Sequence, residues 1–162
     1  MATVLDHCRD LPTKRLAAGA CLLEEGTNAG VLYVLVEGTA DVMKGDVLIT
    51  TVSDPGAFFG EMAVLLGIPH TATVRAATDA VVHVVADPLR FLQSHPEITL
   101  ALSRLLAKRL HFVTSYLVDL KRQFEDRTDH FGLVDEVLEN LVHHQEPEAQ
   151  PGSERHPDKS VD

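Results

Sequence analysis

The chain has 162 residues, 45% apolar and 23% charged, with a formal net charge of −10; that supports one globular core with extensions and excludes the clustered Lys and Arg that a nucleic-acid surface needs to replace phosphate counterions. The opening MATVLDHCRD carries acids and no apolar core of signal-peptide length, and no later apolar run approaches membrane-spanning length, so a cytoplasmic protein with no membrane partner is expected. Cys8 and Cys21 have neither the number nor the spacing for a disulfide framework or a metal site, and read as reduced thiols.

Residues 1–11 read as a short N-terminal helical segment. From Leu16 to Val85 glycine or an Asp-Pro-Gly turn breaks the chain every eight to twelve residues, and β-prone runs lie between the breaks: ACLLEE, VLYVLVEG, TADVMK, DVLITTVS, HTATVRAA and AVVHVVA. VLYVLV and AVVHVVA are nearly continuous in apolar character, as strands inside a small barrel are, whereas TADVMK alternates like an edge or surface strand. An antiparallel β-barrel or jelly roll over residues 12–90, flanked by helices, is the expected architecture.

After Val85 the period changes from about 2 to about 3.6. Residues 91–126 read as C-terminal helices: LRFLQS, with Pro88 in its first turn, is stopped by His95-Pro96, and a long helix follows from about Glu97 to about Asp126. Roughly thirty residues at 1.5 Å each would span about 45 Å. Leu102, Leu106, Leu110, Val113, Leu117, Leu120 and Phe124 step by threes and fours into one seam. The seam either lids its own barrel, leaving a monomer, or makes a homodimer along its distal part, Val113 to Phe124. Residues 131–145 predict a further amphipathic helix with Phe131, Val134, Leu138 and Leu141 on one face. Residues 146–162 are rich in Pro, Gly, Ser and charge and predict a disordered tail. From residue 131 onward the chain carries a net charge of −6, the wrong sign for a DNA-binding appendage.

The stretch PGAFFGEMAVLLGIPHTATVRA has a physical reading of its own. Phe59-Gly60-Glu61 leaves a strand into one short helical turn, so the free N–H groups near Glu61, Met62 and Ala63 converge on one spot, a ready anion site. Gly60 lets a ligand approach the backbone, and the Glu61 carboxylate can accept hydrogen bonds from a sugar hydroxyl. Thr71 adds a hydroxyl and an amide, and Ala72 keeps the pocket floor open.

With LAAGACLLEEGTNAGVLYVLVEGTADV before it and HPEITLALSRLLAKRL after it, this stretch resembles the cyclic nucleotide-binding domain family, which includes the catabolite activator protein and the regulatory subunits of protein kinase A. The resemblance covers about residues 12–125 and makes residues 58–74 a phosphate-binding cassette. It implies that Gly60, Glu61 and Ala63, with Met62 between them, hold ribose and phosphate. It further implies that His70 and Thr71 grip the cyclic phosphate, and that the long helix meets the base near Val113, Thr114 and Ser115.

His70 departs from the family pattern, which has arginine there. A guanidinium is always charged and holds two phosphate oxygens at once; histidine is shorter and, with a reference pKa of about 6.5, mostly neutral at neutral pH. A charged hydrogen bond is worth roughly 1.5–3 kcal/mol, so its loss weakens phosphate binding about ten- to a hundredfold.

Two functions remain open on these residues. One is a stand-alone regulatory domain that binds a cyclic nucleotide, cAMP in preference to cGMP, with a weakened phosphate grip. The other is a degenerate relative that binds no cyclic nucleotide and serves as a protein interaction module for an unknown partner. Neither needs a cofactor or a metal. An enzyme is not expected: despite nine histidines no His-x-His occurs to suggest a metal-binding jelly roll. Direct DNA binding is not expected either, because one amphipathic helix and an acidic tail follow the long helix in place of a helix-turn-helix.

Overall fold

A computed structural model describes residues 2–28, 30–124 and 131–143. The chain divides into two compact units, Met1–Leu102 and Ser103–Asp162. In the first, helix α1 (Val4–His7) is capped by Thr3, whose side chain accepts from the Asp6 amide while Asp6 bonds back to the Thr3 backbone. Eight strands follow: β1 (Thr13–Leu16), β2 (Cys21–Leu23), β3 (Leu32–Glu37), β4 (Ala40–Lys44), β5 (Val47–Val52), β6 (Phe58–Phe59), β7 (Thr73–Ala76) and β8 (Ala80–Val85). Helix α2 (Glu61–Leu66) lies between β6 and β7, and α3 (Pro88–Ser94) and the start of α4 (Pro96–Gln123) come after β8.

All strand pairs are antiparallel and form two four-stranded sheets, β1-β8-β3-β6 and β2-β7-β4-β5. This is the jelly-roll architecture the turn spacing called for. The apolar runs explain the centre: β3 and β8 pair along most of their length, with Tyr33 opposite Val84 and Leu35 opposite Val82. Leu35, Tyr33, Phe59 and Val82 from one sheet meet Leu23 and Val74 from the other in a single core. Burying each such side chain is worth about 1.5–3 kcal/mol.

The turn from β3 into β4 depends on Gly38, at φ +92°, because a Cβ there would lie 2.4 Å from the Asp79 carbonyl oxygen. Of the edge or surface strand expected for TADVMK, the edge is not what forms: β4 lies between β7 and β5, and the sheet ends on β2 and β5. The burial of β4 does not alternate, since Asp41, Val42 and Met43 are all half-buried, and alternation in sequence says nothing about whether a neighbour is hydrogen-bonded alongside. In the β4–β5 pairing Val42 faces Thr50 and Met43 faces Leu48, so Ile49 is the extra residue of a bulge. Val47, Leu48 and Ile49 are all exposed. The β-prone runs missed β1, whereas the strand expected to end at Phe59 is β6.

Pro88 and Pro96 each open a helix, as their fixed φ and missing N–H favour. Ile98 and Leu102 on α4 are buried. In the second unit α4 continues to Gln123 and α5 runs over Phe131–His143, with the Lys121 ammonium paired to the Asp135 carboxylate. Along the expected seam Leu106, Leu117 and Leu120 are half-buried, whereas Leu110 and Val113 are exposed. The expected helix end at Asp126 and the tail over 146–162 lie outside the described residues. Among the described residues no helix is long and apolar enough to cross a membrane.

Candidate functional site

The site begins where β6 ends. Phe58 and Phe59 are buried and pair with Val34 and Tyr33, which fixes the point at which the chain leaves the sheet. Gly60 then takes φ +91°, ψ +5° and caps α2 with no side chain, and Gly67 ends the helix in the same left-handed region, its N–H donating to the Ala63 carbonyl. The first bond of the helical ladder runs from the Val64 N–H to the Gly60 carbonyl at 3.2 Å. The amides of Glu61, Met62 and Ala63 therefore precede the ladder, at the positive end of the turn. Glu61 and Ala63 are buried and Met62 is exposed.

His70 packs against this helix start. A Cβ on Gly60 would stand 3.0 Å from the Val31 carbonyl oxygen, 3.4 Å from His70 Cε1 and 3.5 Å from Leu23 Cδ1, so the position is too crowded for any side chain. The ring is only 5% exposed. The backbone on either side of it is tied down: the His70 N–H donates to the Thr27 carbonyl at 2.9 Å, and its carbonyl accepts from the Gly26 N–H at 2.8 Å. Nε2 is buried without a hydrogen-bond partner. An orphaned polar atom of this kind costs about 1–3 kcal/mol, and native structures keep few of them. Burial also pushes the His70 pKa below its ordinary value of 6.5, so the ring is neutral at neutral pH.

Thr71 and Ala72 follow on the way into β7. Thr71 is exposed and Ala72 half-buried. The Thr71 carbonyl accepts from Lys44 Nζ at 2.8 Å, and Lys44 is also ion-paired with Glu25 at 2.8 Å. The other Glu25 carboxylate oxygen accepts from the Gly45 N–H at 2.9 Å, and the Glu25 amide donates to the Thr73 hydroxyl at 3.0 Å. The Lys44 ammonium, followed by the Gly45 amide, holds the Glu25 carboxyl below the usual range.

The structure thus brings Gly60, Glu61, Met62, Ala63, His70, Thr71 and Ala72 into one unit, with the His70 ring 3.4 Å from where a Cβ on Gly60 would stand. Thr114 belongs to the second unit, where its hydroxyl donates to the Leu110 carbonyl at 2.8 Å. Sequence reasoning missed Lys44 and Glu25. Their link to the cassette joins positions 27 apart and has no periodic signature. Among the described residues no group of three or more His, Cys, Asp or Glu is placed to hold a metal ion.

Comparison with known proteins places these residues in context. Residues 13–92 match a family model described as a cyclic nucleotide-binding domain. An uncharacterized ABC transporter ATP-binding protein of Mycobacterium tuberculosis is 38% identical over 73 residues, covering 42% of this chain and 22% of that protein. The chain therefore spans about a fifth of the length of the curated relatives it matches. A solved structure from work on a cyclic-GMP-dependent signalling pathway in bacterial phytopathogenesis is 25% identical, with a TM-score of 0.56 over 65% of this chain and 89% of that one. The catabolite activator protein of Thermus thermophilus shares the fold, at 20% identity and a TM-score of 0.60 over 86% of this chain and 81% of that one.

Proposed function

Residues 13–92 belong to the cyclic nucleotide-binding domain family, and from that premise we propose that the chain is a regulatory domain that binds a cyclic nucleotide, cAMP in the first instance, through a phosphate site whose strength depends on pH. The observation that carries this reading is the buried Nε2 of His70, left without a hydrogen-bond partner in the cassette. The cyclic phosphate sits at the first-turn amides of Glu61, Met62 and Ala63, with His70 and Thr71 on its other side, and Glu61 takes a ribose hydroxyl. Ala72 adds no side chain beyond its methyl, leaving room for the sugar phosphate.

The sign of the pH dependence follows from the ring. A neutral imidazole with its proton on Nε2 donates one ordinary hydrogen bond, worth about 0.5–1.5 kcal/mol, whereas an imidazolium bond to an anion is worth about 1.5–3 kcal/mol. An anion beside the ring raises its pKa, so binding takes up a proton and affinity rises as pH falls. The difference of about 1 kcal/mol sets a ceiling of roughly fivefold on this gain, reached only below the pKa of the free ring, so pH 6 realises part of it. The ligand is bound and not turned over, and the regulatory output passes to a protein partner or a second copy of the chain.

Isothermal titration with cAMP and cGMP at pH 6 and pH 8 tests this: cAMP binds, more tightly at pH 6, and His70→Arg tightens binding and flattens the pH dependence. Absence of binding at millimolar nucleotide at both pH values overturns it. One observation favours the second reading, an interaction module without nucleotide: burial keeps His70 neutral where a phosphate needs a charge. That reading predicts that the wild type does not bind and that His70→Arg creates binding.

A further inference from the structure

We infer that Lys44 supplies the fixed positive charge of this phosphate site, the role that the neutral His70 ring does not fill; the inference rests on the cassette being a phosphate site at all. The Lys44 ammonium donates to the carbonyl of Thr71, the residue directly after His70, at 2.8 Å. An ammonium has three N–H donors. One goes to Thr71 and one to Glu25 at 2.8 Å, which leaves the third for an anion without breaking either bond.

The position is built from three segments of chain. Glu25, the residue before Gly26, bonds both Lys44 and the Gly45 amide. Gly26 and Thr27 hold the backbone of His70 at 2.8 and 2.9 Å. The Glu25 amide reaches Thr73 at 3.0 Å. The cation, its counter-ion and the cassette exit over residues 70–73 are therefore locked together by short bonds, and the charge is already in place before a ligand arrives. Preorganisation of this kind removes most of the side-chain entropy that a free surface lysine loses on binding an anion. Glu25 sets the strength of the charge: while its carboxylate is paired to Lys44, it cancels part of the field that a phosphate meets.

Two variants that act in opposite directions separate a charge from a clip. In cAMP titrations at pH 8, where His70 contributes no charge, Lys44→Met weakens binding about tenfold, the value of roughly one charged hydrogen bond, and Lys44→Arg stays within about threefold of wild type. Glu25→Gln, which breaks the same ion pair but leaves the cation, tightens binding and steepens its dependence on salt. Thermal melts of each variant confirm folding. If Glu25→Gln weakens binding in step with Lys44→Met, Lys44 acts only as a clip and the inference fails. If the wild type binds and folded Lys44→Met binds equally well, the inference fails while the cassette remains a nucleotide site. If the wild type does not bind at millimolar cAMP at pH 6 or pH 8, the cassette reading fails and the inference with it.

Discussion

Replacing Gly60 by Ala probes the site's backbone directly. Two costs add. The residue sits at φ +91°, where an L side chain is strained by about 1–2 kcal/mol. The new methyl would also stand 3.0 Å from the Val31 carbonyl oxygen and 3.4 Å from His70 Cε1; the carbonyl belongs to backbone and yields by a few tenths of an ångström at most, adding about 1 kcal/mol at the low end of overpacking costs. The sum is about 2–3 kcal/mol. Gly19→Ala is the control, since φ is +87° there but nothing lies within 4 Å of the added carbon, and it carries only the strain. Urea unfolding followed by circular dichroism, read as a change in midpoint at constant slope, gives both values. Equal losses for the two variants, or a Gly60→Ala loss below about 0.5 kcal/mol, would refute the claim that packing against Val31 and His70 is what reserves this position for glycine.

Three further outcomes follow from the same structure. Because burial lowers the folded pKa of His70 below its unfolded value of about 6.5, the unfolded chain takes up this proton first as pH falls; the stabilising effect is complete above pH 6.5 and is lost as pH descends through the folded pKa. Thermal melts of the ligand-free protein between pH 8 and pH 5.5 register that loss, and His70→Gln removes it; parallel curves for the two proteins would contradict it. Leu35 is fully buried in the core, so Leu35→Ala costs about 2–5 kcal/mol in denaturant unfolding, and a loss under about 1 kcal/mol would take Leu35 out of the core. Gly38→Ala puts a carbon 2.4 Å from the Asp79 oxygen and 2.7 Å from Ala80 Cα, and so exceeds Gly19→Ala by more than about 2 kcal/mol, measured in the same unfolding series.

Much of the jelly roll was legible because its strongest signals are local. VLYVLVEG and AVVHVVA became β3 and β8, and the prolines at 88 and 96 mark two helix starts. What failed to show was decided by partners remote in sequence. Thr13–Leu16 has one buried residue in four and so gave no apolar run. The edge position of β5 is likewise a matter of neighbours, which alternation along one strand does not encode. In the cassette, the turn glycine and the exposed first-turn amides of α2 follow from FFGEMA. That the His70 ring is mostly neutral follows already from its reference pKa, but its burial, its orphaned nitrogen and its tie to the 26–27 loop come from tertiary enclosure, and Lys44 reaches Thr71 across two strands and a helix of intervening chain.

The bulge at Ile49 also bears on how the protein survives at high concentration. VLITTV is uncharged, β-branched, free of proline and lies open on a sheet edge, which is the composition of a segment that nucleates cross-β fibrils. A fibril template needs a regular row of backbone donors and acceptors along its whole length, and skipping Ile49 breaks the row into Val47-Leu48 and Thr50–Val52. Neither piece is long enough to seed a steric zipper, so one irregular residue lets the chain keep a sticky strand in the open without templating its own aggregation.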